Sequence, residues 1–158
     1  MKTGAVMEEE IIFQKTISYL LARVTTAYKT VLERHMGLIG LHAGQVFLLL
    51  ELWTEDGLRQ VDLARRLSLA APTVSKMIKG LIEINLVEIE REDGDGRSTR
   101  VYLTDQGHAM RDDVNAQWLE LETNYLADLN ETERLILPEL LTKLRKAYTG
   151  ADDAEEDQ

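Results

Sequence analysis

Hydroxyl and ammonium groups cluster on the segment 72–84, where they could bind an anionic partner. The apolar side chains of this segment recur at helical spacing and predict one buried face: Val74, Met77, Ile78 and Leu81. The side chains on the opposite face are polar: Thr73, Ser75, Lys76 and Lys79. Hydroxyls can hydrogen-bond bases or phosphates, and lysines suit phosphates or guanine. The segment therefore predicts a helix that can read DNA, with an ordinary solvated surface as the alternative.

Arg97 lies in the loop 92–98, directly after Gly94, Asp95 and Gly96. An arginine in a glycine-rich loop has no core to pack against, so its natural ligand is an external anion. The minor groove of DNA is such a target because, where narrow, its negative potential attracts arginine. Asp95 would be unfavourable beside phosphate, so we expect it to orient Arg97 or another arginine. An ordinary surface arginine is the alternative.

Apolar periodicity and turn residues predict the elements that position these groups. Helical spacing recurs in six segments: about residues 8–32, 42–54, 61–67, 72–84, 105–128 and from 131 onward. Two stretches with alternating apolar and charged residues, 86–91 and 100–103, predict a β-hairpin with a polar tip. Thr104 and Asn130 are predicted N-caps of the last two helices. The two short helices joined at residues 68–71 predict a helix-turn-helix.

The composition favours one mostly helical globular domain. The chain has 158 residues, 44% of them hydrophobic and 29% charged, and it contains no cysteine. The lack of cysteine excludes disulfides, thiolate metal sites and cysteine redox switches. The apolar run 46–50 is far shorter than the ~20 residues of a membrane span, and the acidic residues 8–10 do not fit a secretion signal. We therefore expect a cytoplasmic protein without membrane contact.

The formal net charge of −10 opposes nucleic-acid binding, because neutralisation of phosphates supplies much of DNA affinity. The distribution of charge matters more than the total. Residues 57–104 contain eight Lys or Arg and seven Asp or Glu, which gives this segment +1. Five Asp or Glu lie after Tyr148, and we expect the acidic tail 149–158 to be disordered. The net charge therefore argues less strongly against DNA binding than its total suggests, although it still opposes it.

Five short motifs, in this order along the chain, resemble the signature of the MarR family of transcription regulators. They are Leu63-Ala64-Arg65-Arg66-Leu67, Pro72-Thr73-Val74-Ser75-Lys76, Leu86-Val87-Glu88, Asp95-Gly96-Arg97-Ser98 and Val101-Tyr102-Leu103-Thr104-Asp105-Gln106-Gly107. The resemblance covers about residues 8–148. An Asp-x-Arg loop followed by Leu-Thr-x-x-Gly is specific as a combination, whereas each half alone is weak.

The resemblance implies a mostly α-helical winged helix-turn-helix lobe with a small β-hairpin wing, plus a helical dimerisation region. It implies a single domain at residues 1–148, with dimerisation helices at 8–36 and 105–148 and the winged lobe at 41–104. A homodimer would offer two recognition helices to an inverted repeat in double-stranded DNA. The alternative is that the apolar side chains of the last helices form an intramolecular core.

Carried over residue by residue, the resemblance implies DNA contacts on the recognition helix and the wing: Thr73, Ser75, Lys76, Lys79 and Arg97. Asp95 is implied to brace Arg97. Arg100 and Arg65 are weaker candidates for contacts to the DNA backbone or within the protein.

Three features depart from the family pattern. Asn85 stands where a glycine is common, and asparagine enters the left-handed region more easily than most residues. Ala70 and Ala71 supply no side-chain cap to the recognition helix, which costs ~1 kcal/mol. Gly80 inside that helix costs roughly 0.5–1 kcal/mol relative to alanine. We therefore expect a recognition helix that is soft until DNA binds.

The resemblance also implies a small aromatic effector, since family members often bind aromatic acids or phenols between the dimer helices and the DNA-binding lobe. Four residues are expected to line such a pocket: His35, Met36, His42 and Trp53. The alternative is that they are ordinary core or surface residues. The three histidines do not form a metal-binding set, and no cofactor motif is recognisable. No nucleophile with a base and an orienting group is recognisable either, so we do not expect an enzyme.

The expected function is therefore a sequence-specific DNA-binding transcription regulator, with repression relieved by ligand as the family's common mode. The alternative is a winged-helix protein-interaction module that has lost DNA binding, as the negative net charge would permit.

Overall fold

The computed structural model describes residues 12–91 and 99–150, and this part of the chain is mostly helical. Six α-helices occur in these ranges: α1 (Ile17–Gly37), α2 (Ala43–Thr54), α3 (Gln60–Arg66), α4 (Ala71–Glu83), α5 (Asp105–Tyr125) and α6 (Glu131–Thr149). Three strands form one sheet: β1 (Leu58–Arg59), β2 (Val87–Arg91) and β3 (Thr99–Leu103). The predicted fold class is confirmed. None of the described helices combines the length and apolarity needed to cross a bilayer.

The first helix begins and ends later than the sequence pattern predicts. A short 3-10 turn at Phe13–Lys15 precedes it, and Thr16 caps it by accepting a hydrogen bond from a backbone N–H of the first turn at 3.2 Å. At the other end, Gly37 is the last helical residue, so α1 extends about one turn beyond the predicted segment 8–32. The chain reverses at Gly40, where φ is +79°.

The chain divides into two compact units after Asn115. In the first unit, one core is shared by α2, α3, α4 and the sheet. Its fully buried apolar side chains include Val46, Leu48, Leu49, Leu52, Leu63, Val74, Leu81, Leu86 and Val101. Full burial of one such side chain stabilises the fold by ~1.5–3 kcal/mol. α2 alone contributes Val46, Leu48, Leu49 and Leu52 to this core.

β3 is the central strand of the sheet and pairs in antiparallel fashion with β1 on one side and β2 on the other. Val87 lies opposite Leu103, and Ile89 lies opposite Val101. Val87, Leu103 and Val101 are buried against the core, whereas Ile89 is exposed. The predicted hairpin is confirmed. β1 was not predicted, because two residues are too few to show an alternating pattern.

The connection from α4 to α5 depends on three closely packed residues. Asn85 has a φ of +58°, which confirms its expected left-handed conformation. Thr104 caps α5 as predicted: its hydroxyl accepts from Gly107 N at 3.0 Å and donates to the Asn85 carbonyl at 2.7 Å. A Cβ at Gly107 would lie 2.0 Å from the carbonyl oxygen of Leu86. The glycine of the Leu-Thr-x-x-Gly motif is therefore required by this close approach.

The second unit contains the end of α5 and all of α6. α6 begins with the predicted capping box, in which Asn130 Oδ1 accepts from Glu133 N at 3.0 Å and Glu133 Oε2 accepts from Asn130 N at 2.8 Å. No residue of this fully described helix is buried. Its exposed apolar side chains recur at helical spacing: Leu135, Ile136, Leu140, Leu141 and Tyr148.

Candidate nucleic-acid interface

α4 presents polar side chains on the face that its core contacts leave free. Val74, Ile78 and Leu81 are buried and anchor the opposite face of the helix. The four side chains of α4 that were predicted to contact DNA are all exposed: Thr73, Ser75, Lys76 and Lys79. Lys76 and Lys79 form no ion pair with any described residue. Their charges are therefore free to bind an external anion.

The start of α4 has no side-chain cap, as the sequence predicts. Ala70 is the N-cap residue, and its carbonyl accepts from Thr73 N at 2.9 Å and from Val74 N at 3.2 Å. Pro72 lies in the first turn, where its missing N–H leaves one donor fewer to satisfy. The N–H groups of Thr73 and Val74 are thus bonded to a backbone carbonyl and not to a capping side chain.

Along one flank of α4, Ser75 is bonded to the neighbouring helix α3. Gln60, the first residue of α3, donates through Nε2 to the Ser75 hydroxyl oxygen. The same hydroxyl donates to the carbonyl of Ala71, one turn earlier in α4, at 3.0 Å. Ser75 therefore reaches the surface with its orientation fixed by two partners.

Along the other flank, α4 packs tightly against α2 through two glycines. A Cβ at Gly44 would lie 2.6 Å from Met77 Cε, and a Cβ at Gly80 would lie 2.7 Å from Gln45 Nε2. Gln45 is buried, and its Oε1 accepts from the backbone N–H of His42 at 2.9 Å. The expected helix cost of Gly80 is therefore accompanied by a packing role that the sequence pattern did not indicate.

An open groove of about 570 Å³ follows this second flank. Its lining combines the start of α2 with the outer face of α4: His42, Gly44, Gln45, Thr73, Lys76, Met77, Lys79, Gly80 and Glu83. The lining therefore includes two positive charges, from Lys76 and Lys79, and one negative charge, from Glu83.

Glu33 of α1 holds the N-terminus of α2 beside this groove. Its Oε2 accepts from Ala43 N at 2.8 Å, and its Oε1 lies 2.6 Å from His42 Nδ1. The backbone hydrogen bond from Ala43, followed by the side-chain bond with His42, keeps the pKa of Glu33 below its usual range. The carboxylate therefore stays ionised, and its negative charge stabilises the N-terminal end of α2.

The arginines of α3 and of the residue before it are engaged with acidic neighbours. Asp62 lies 2.7 Å from Arg59 Nε and 3.3 Å from Arg65 Nη2. The hydrogen bond from Arg59 is the main reason that the pKa of Asp62 is lowered. Arg66 pairs with Glu55 and lies 3.6 Å from Glu51. These contacts favour a structural role for Arg65, which the sequence left open.

Arg100 is the second residue of β3, near the loop end of the hairpin, and contacts the turn before β1. Its Nη1 donates to the carbonyl of Gly57 at 2.8 Å, and Asp56 Oδ1 accepts from Leu103 N at 2.9 Å. The two bonds fasten β3 to the turn before β1. The predicted wing residues Asp95 and Arg97 lie outside the described residues.

Comparison with known proteins places this helix-turn-helix in a family. The model of the MarR family matches residues 41–99, which run from the residues before α2 to the start of β3. An uncharacterized HTH-type transcriptional regulator, YwoH of Bacillus subtilis (strain 168), is 30% identical over 95 residues, which are 60% of this chain and 69% of that protein. The chain belongs to the MarR family.

Two further comparisons show how much of the chain resembles known proteins. YdgJ of Bacillus subtilis (strain 168), an uncharacterized HTH-type transcriptional regulator, is 27% identical over 106 residues, and the match spans 67% of this chain and 65% of that protein. The structure of the S. aureus MepR-DNA complex superposes with a TM-score of 0.73 at 25% identity, covering 84% of this chain and 98% of that chain.

The four predicted pocket residues have different surroundings in this MarR-family chain. His42 lines the groove beside α4, whereas His35 and Met36 are buried at the end of α1. Trp53 donates through Nε1 to the carbonyl of Gly107 at 3.1 Å and thereby ties α2 to the start of α5. The structure brings only His42 to a described groove.

Sequence reasoning missed Gln45, Gln60 and Glu33. Gln45 carried a signal, because a glutamine at the third helical position commonly bonds back to the N-cap residue. Gln60 and Glu33 carried none, since each acts on a residue of another helix. Their partners became visible only with the packing of α3 against α4 and of α1 against α2.

Proposed function

We propose that this protein is a cytoplasmic transcription regulator that binds double-stranded DNA with sequence specificity through α4 and the wing. The observation that carries the proposal is the exposed polar face of α4, where Lys76 and Lys79 have no ionic partner among the described residues. Thr73 and Ser75 place hydroxyls on the same exposed surface. The structure of MepR with DNA, at 25% identity, supports the same use of this fold.

We further propose that Asp95, Arg97 and Arg100 complete the interface. Arg97 supplies the minor-groove contact, and Asp95 orients it. The bond from Arg100 to Gly57 supports a positioning role for Arg100 near the loop end of the wing.

A homodimer is the proposed DNA-binding form. Exposed apolar side chains lie on α1, among them Ile17, Leu20 and Val24, and on α6, among them Leu135 and Leu140. Exposed rows of this kind mark protein interfaces, and most such assemblies are two-fold symmetric. Two copies of α4 related by a two-fold axis would match an inverted repeat with half-sites about one DNA turn apart.

We propose repression as the mode of regulation and a small aromatic ligand as the releasing effector. His42 and the two lysines at the groove support this proposal, because a ligand seated there would occupy the surface offered to DNA. His35, Met36 and Trp53 contribute to the site only indirectly through the packing of α1, α2 and α5.

The test is a selection of binding sequences from a random DNA library, followed by titration of the selected palindrome at several salt concentrations. We expect sub-micromolar affinity that falls steeply with salt. Lys76→Ala should weaken binding and lower the salt slope by about one if the ammonium touches phosphate. Lys29→Ala, which removes the same charge from an exposed position of α1, is the matched control. No binding even at low salt would contradict the proposal and favour the protein-interaction module.

A further inference from the structure

The hydroxyl of Ser75 lies on the proposed DNA-binding surface, and two of its three hydrogen-bonding positions are already occupied by protein groups. A serine hydroxyl has one donor and two acceptor lone pairs. Its proton is donated to the carbonyl of Ala71 at 3.0 Å, and one lone pair accepts from Gln60 Nε2. One lone pair is left, and Ser75 is exposed. Towards an external partner, this hydroxyl is an acceptor.

The major groove offers both donors and acceptors, so the direction of a serine bond carries sequence information. Adenine N6 and cytosine N4 are donors there, whereas guanine O6, guanine N7 and thymine O4 are acceptors. A serine that is free to rotate can bond to either kind. A serine that can only accept is limited to the two amino groups.

We propose that Gln60 makes Ser75 an acceptor-only reader, so that the protein selects adenine or cytosine over guanine or thymine at one position of each half-site. This inference rests on the proposed function, in which α4 enters the major groove. Every base pair contains one amino group in the major groove. The contact therefore decides which strand carries the adenine or cytosine at that position.

Gln60 is well placed to impose this direction. It is half-buried at the first position of α3, and its own helix turn is braced by the ion pair of Arg59 with Asp62. Its amide donates to the Ser75 oxygen, while the Ser75 hydroxyl donates to the Ala71 carbonyl. Bonds in such a chain strengthen one another, so the proton stays on the Ala71 side. Gln60 is a positioning residue in this scheme.

The experiment compares the binding preferences of the full-length wild type, Ser75→Ala, Gln60→Ala and the double variant, each selected against the same random DNA library. In the wild type we expect adenine or cytosine at one position per half-site, favoured by roughly two- to tenfold, the range of one neutral hydrogen bond. Ser75→Ala should abolish this preference and leave the other positions unchanged. Gln60→Ala should reduce it at the same position.

The double variant separates positioning from direct contact. If Gln60 acts through Ser75, adding Gln60→Ala to Ser75→Ala changes nothing further at that position. Ser18→Ala, which removes an exposed hydroxyl from α1, is the matched control and should keep the wild-type preference. Thermal melting of each variant checks that it is folded, as expected because Ser75 is exposed and Gln60 is only half-buried.

Three results would overturn the inference. One is a preference for guanine or thymine that Ser75→Ala removes. Another is a loss of affinity for all sequences that Gln60→Ala causes both alone and in combination with Ser75→Ala, which would show that Gln60 contacts phosphate. The third is a sequence preference that neither substitution changes. A wild type that selects no DNA at all would overturn the proposed function as well, so the two failures are distinguishable.

Discussion

Helices α4 and α6 share an amphipathic pattern but differ in what covers their apolar faces. In α4, Val74, Ile78 and Leu81 are buried, so the face left outside is polar. In α6, no residue is buried, and apolar side chains such as Leu135 and Leu140 remain exposed by 73% and 48%. Periodicity alone shows that a helix has an apolar face. Only the fold shows whether other parts of the protein bury that face.

The difference assigns the two helices to two kinds of partner. The exposed surface of α4 carries hydroxyls and ammonium groups, which suit a hydrated polyanion. The exposed surface of α6 carries leucine and isoleucine, which gain free energy when another apolar surface removes them from water. The proposed division of labour between reading DNA and pairing two copies follows from this contrast.

The largest expected effect comes from a charge in the apolar row of α6. Burial of a leucine contributes ~1.5–3 kcal/mol, and a two-fold interface contains each residue twice. Leu140→Glu should therefore weaken dimerisation by about 3–6 kcal/mol, measured by sedimentation equilibrium. Thr142→Glu adds the same charge to the same helix at a polar position and should leave the dimer intact. A Leu140→Glu protein that dimerises like the wild type would remove α6 from the interface.

The second prediction concerns the close packing between the end of α4 and the start of α5, for which α6 has no counterpart among its exposed residues. Gly107→Ala places a methyl group 2.0 Å from the Leu86 carbonyl oxygen, so the start of α5 must move. We expect a loss of ~1–3 kcal/mol in the free energy of unfolding, measured by chemical denaturation.

Gly37→Ala is the matched control for this change. A Cβ there meets nothing within 4 Å, and the residue ends α1 without a positive φ. It should be neutral or slightly stabilising. Equal effects of the two substitutions would contradict the packing role of Gly107.

The smallest expected effect is a pH dependence at the join between α1 and α2. Because the pKa of Glu33 is lowered in the folded state, its ionised form stabilises the fold above the usual carboxyl range. This contribution is lost as the pH falls through the lowered pKa. Glu33→Gln should flatten the acid limb of the stability curve by a few tenths of a kcal/mol, since the group is half-exposed.

Glu88→Gln, at an exposed position of β2, is the control for Glu33→Gln. Urea titrations between neutral and acid pH would provide both curves. The account of Glu33 fails if the two variants lose the same amount of stability at acid pH.

Local patterns predicted most of the elements around α4. The apolar spacing of Val74, Ile78 and Leu81 gave the helix and its buried face, and the alternation at 86–91 and 100–103 gave the hairpin. These signals succeed because they depend on residues close together in the sequence. The strand β1 and the true end of α1 were not predicted, because each depends on what the segment packs against.

The details of the candidate site depended on tertiary contacts that no local pattern contains. Gly80 looked like a weakness of α4, but it lies against the amide of Gln45 from α2. Ser75 looked like an unconstrained hydroxyl, but Gln60 of α3 fixes its orientation. The sequence therefore predicted which face of α4 is exposed, whereas the structure showed how its side chains are held.

The most direct test of α4 as the DNA-reading helix uses the absence of cysteine from the sequence. Glu83→Cys puts a unique thiol on the exposed face of α4, where an iron chelate can be attached to cleave nearby DNA. Thr142→Cys on α6 carries the same reagent as the control. We predict cleavage at one place in each half-site of the selected palindrome from position 83 and none from position 142. Specific binding without cleavage from position 83, or equal cleavage from both positions, would contradict the account.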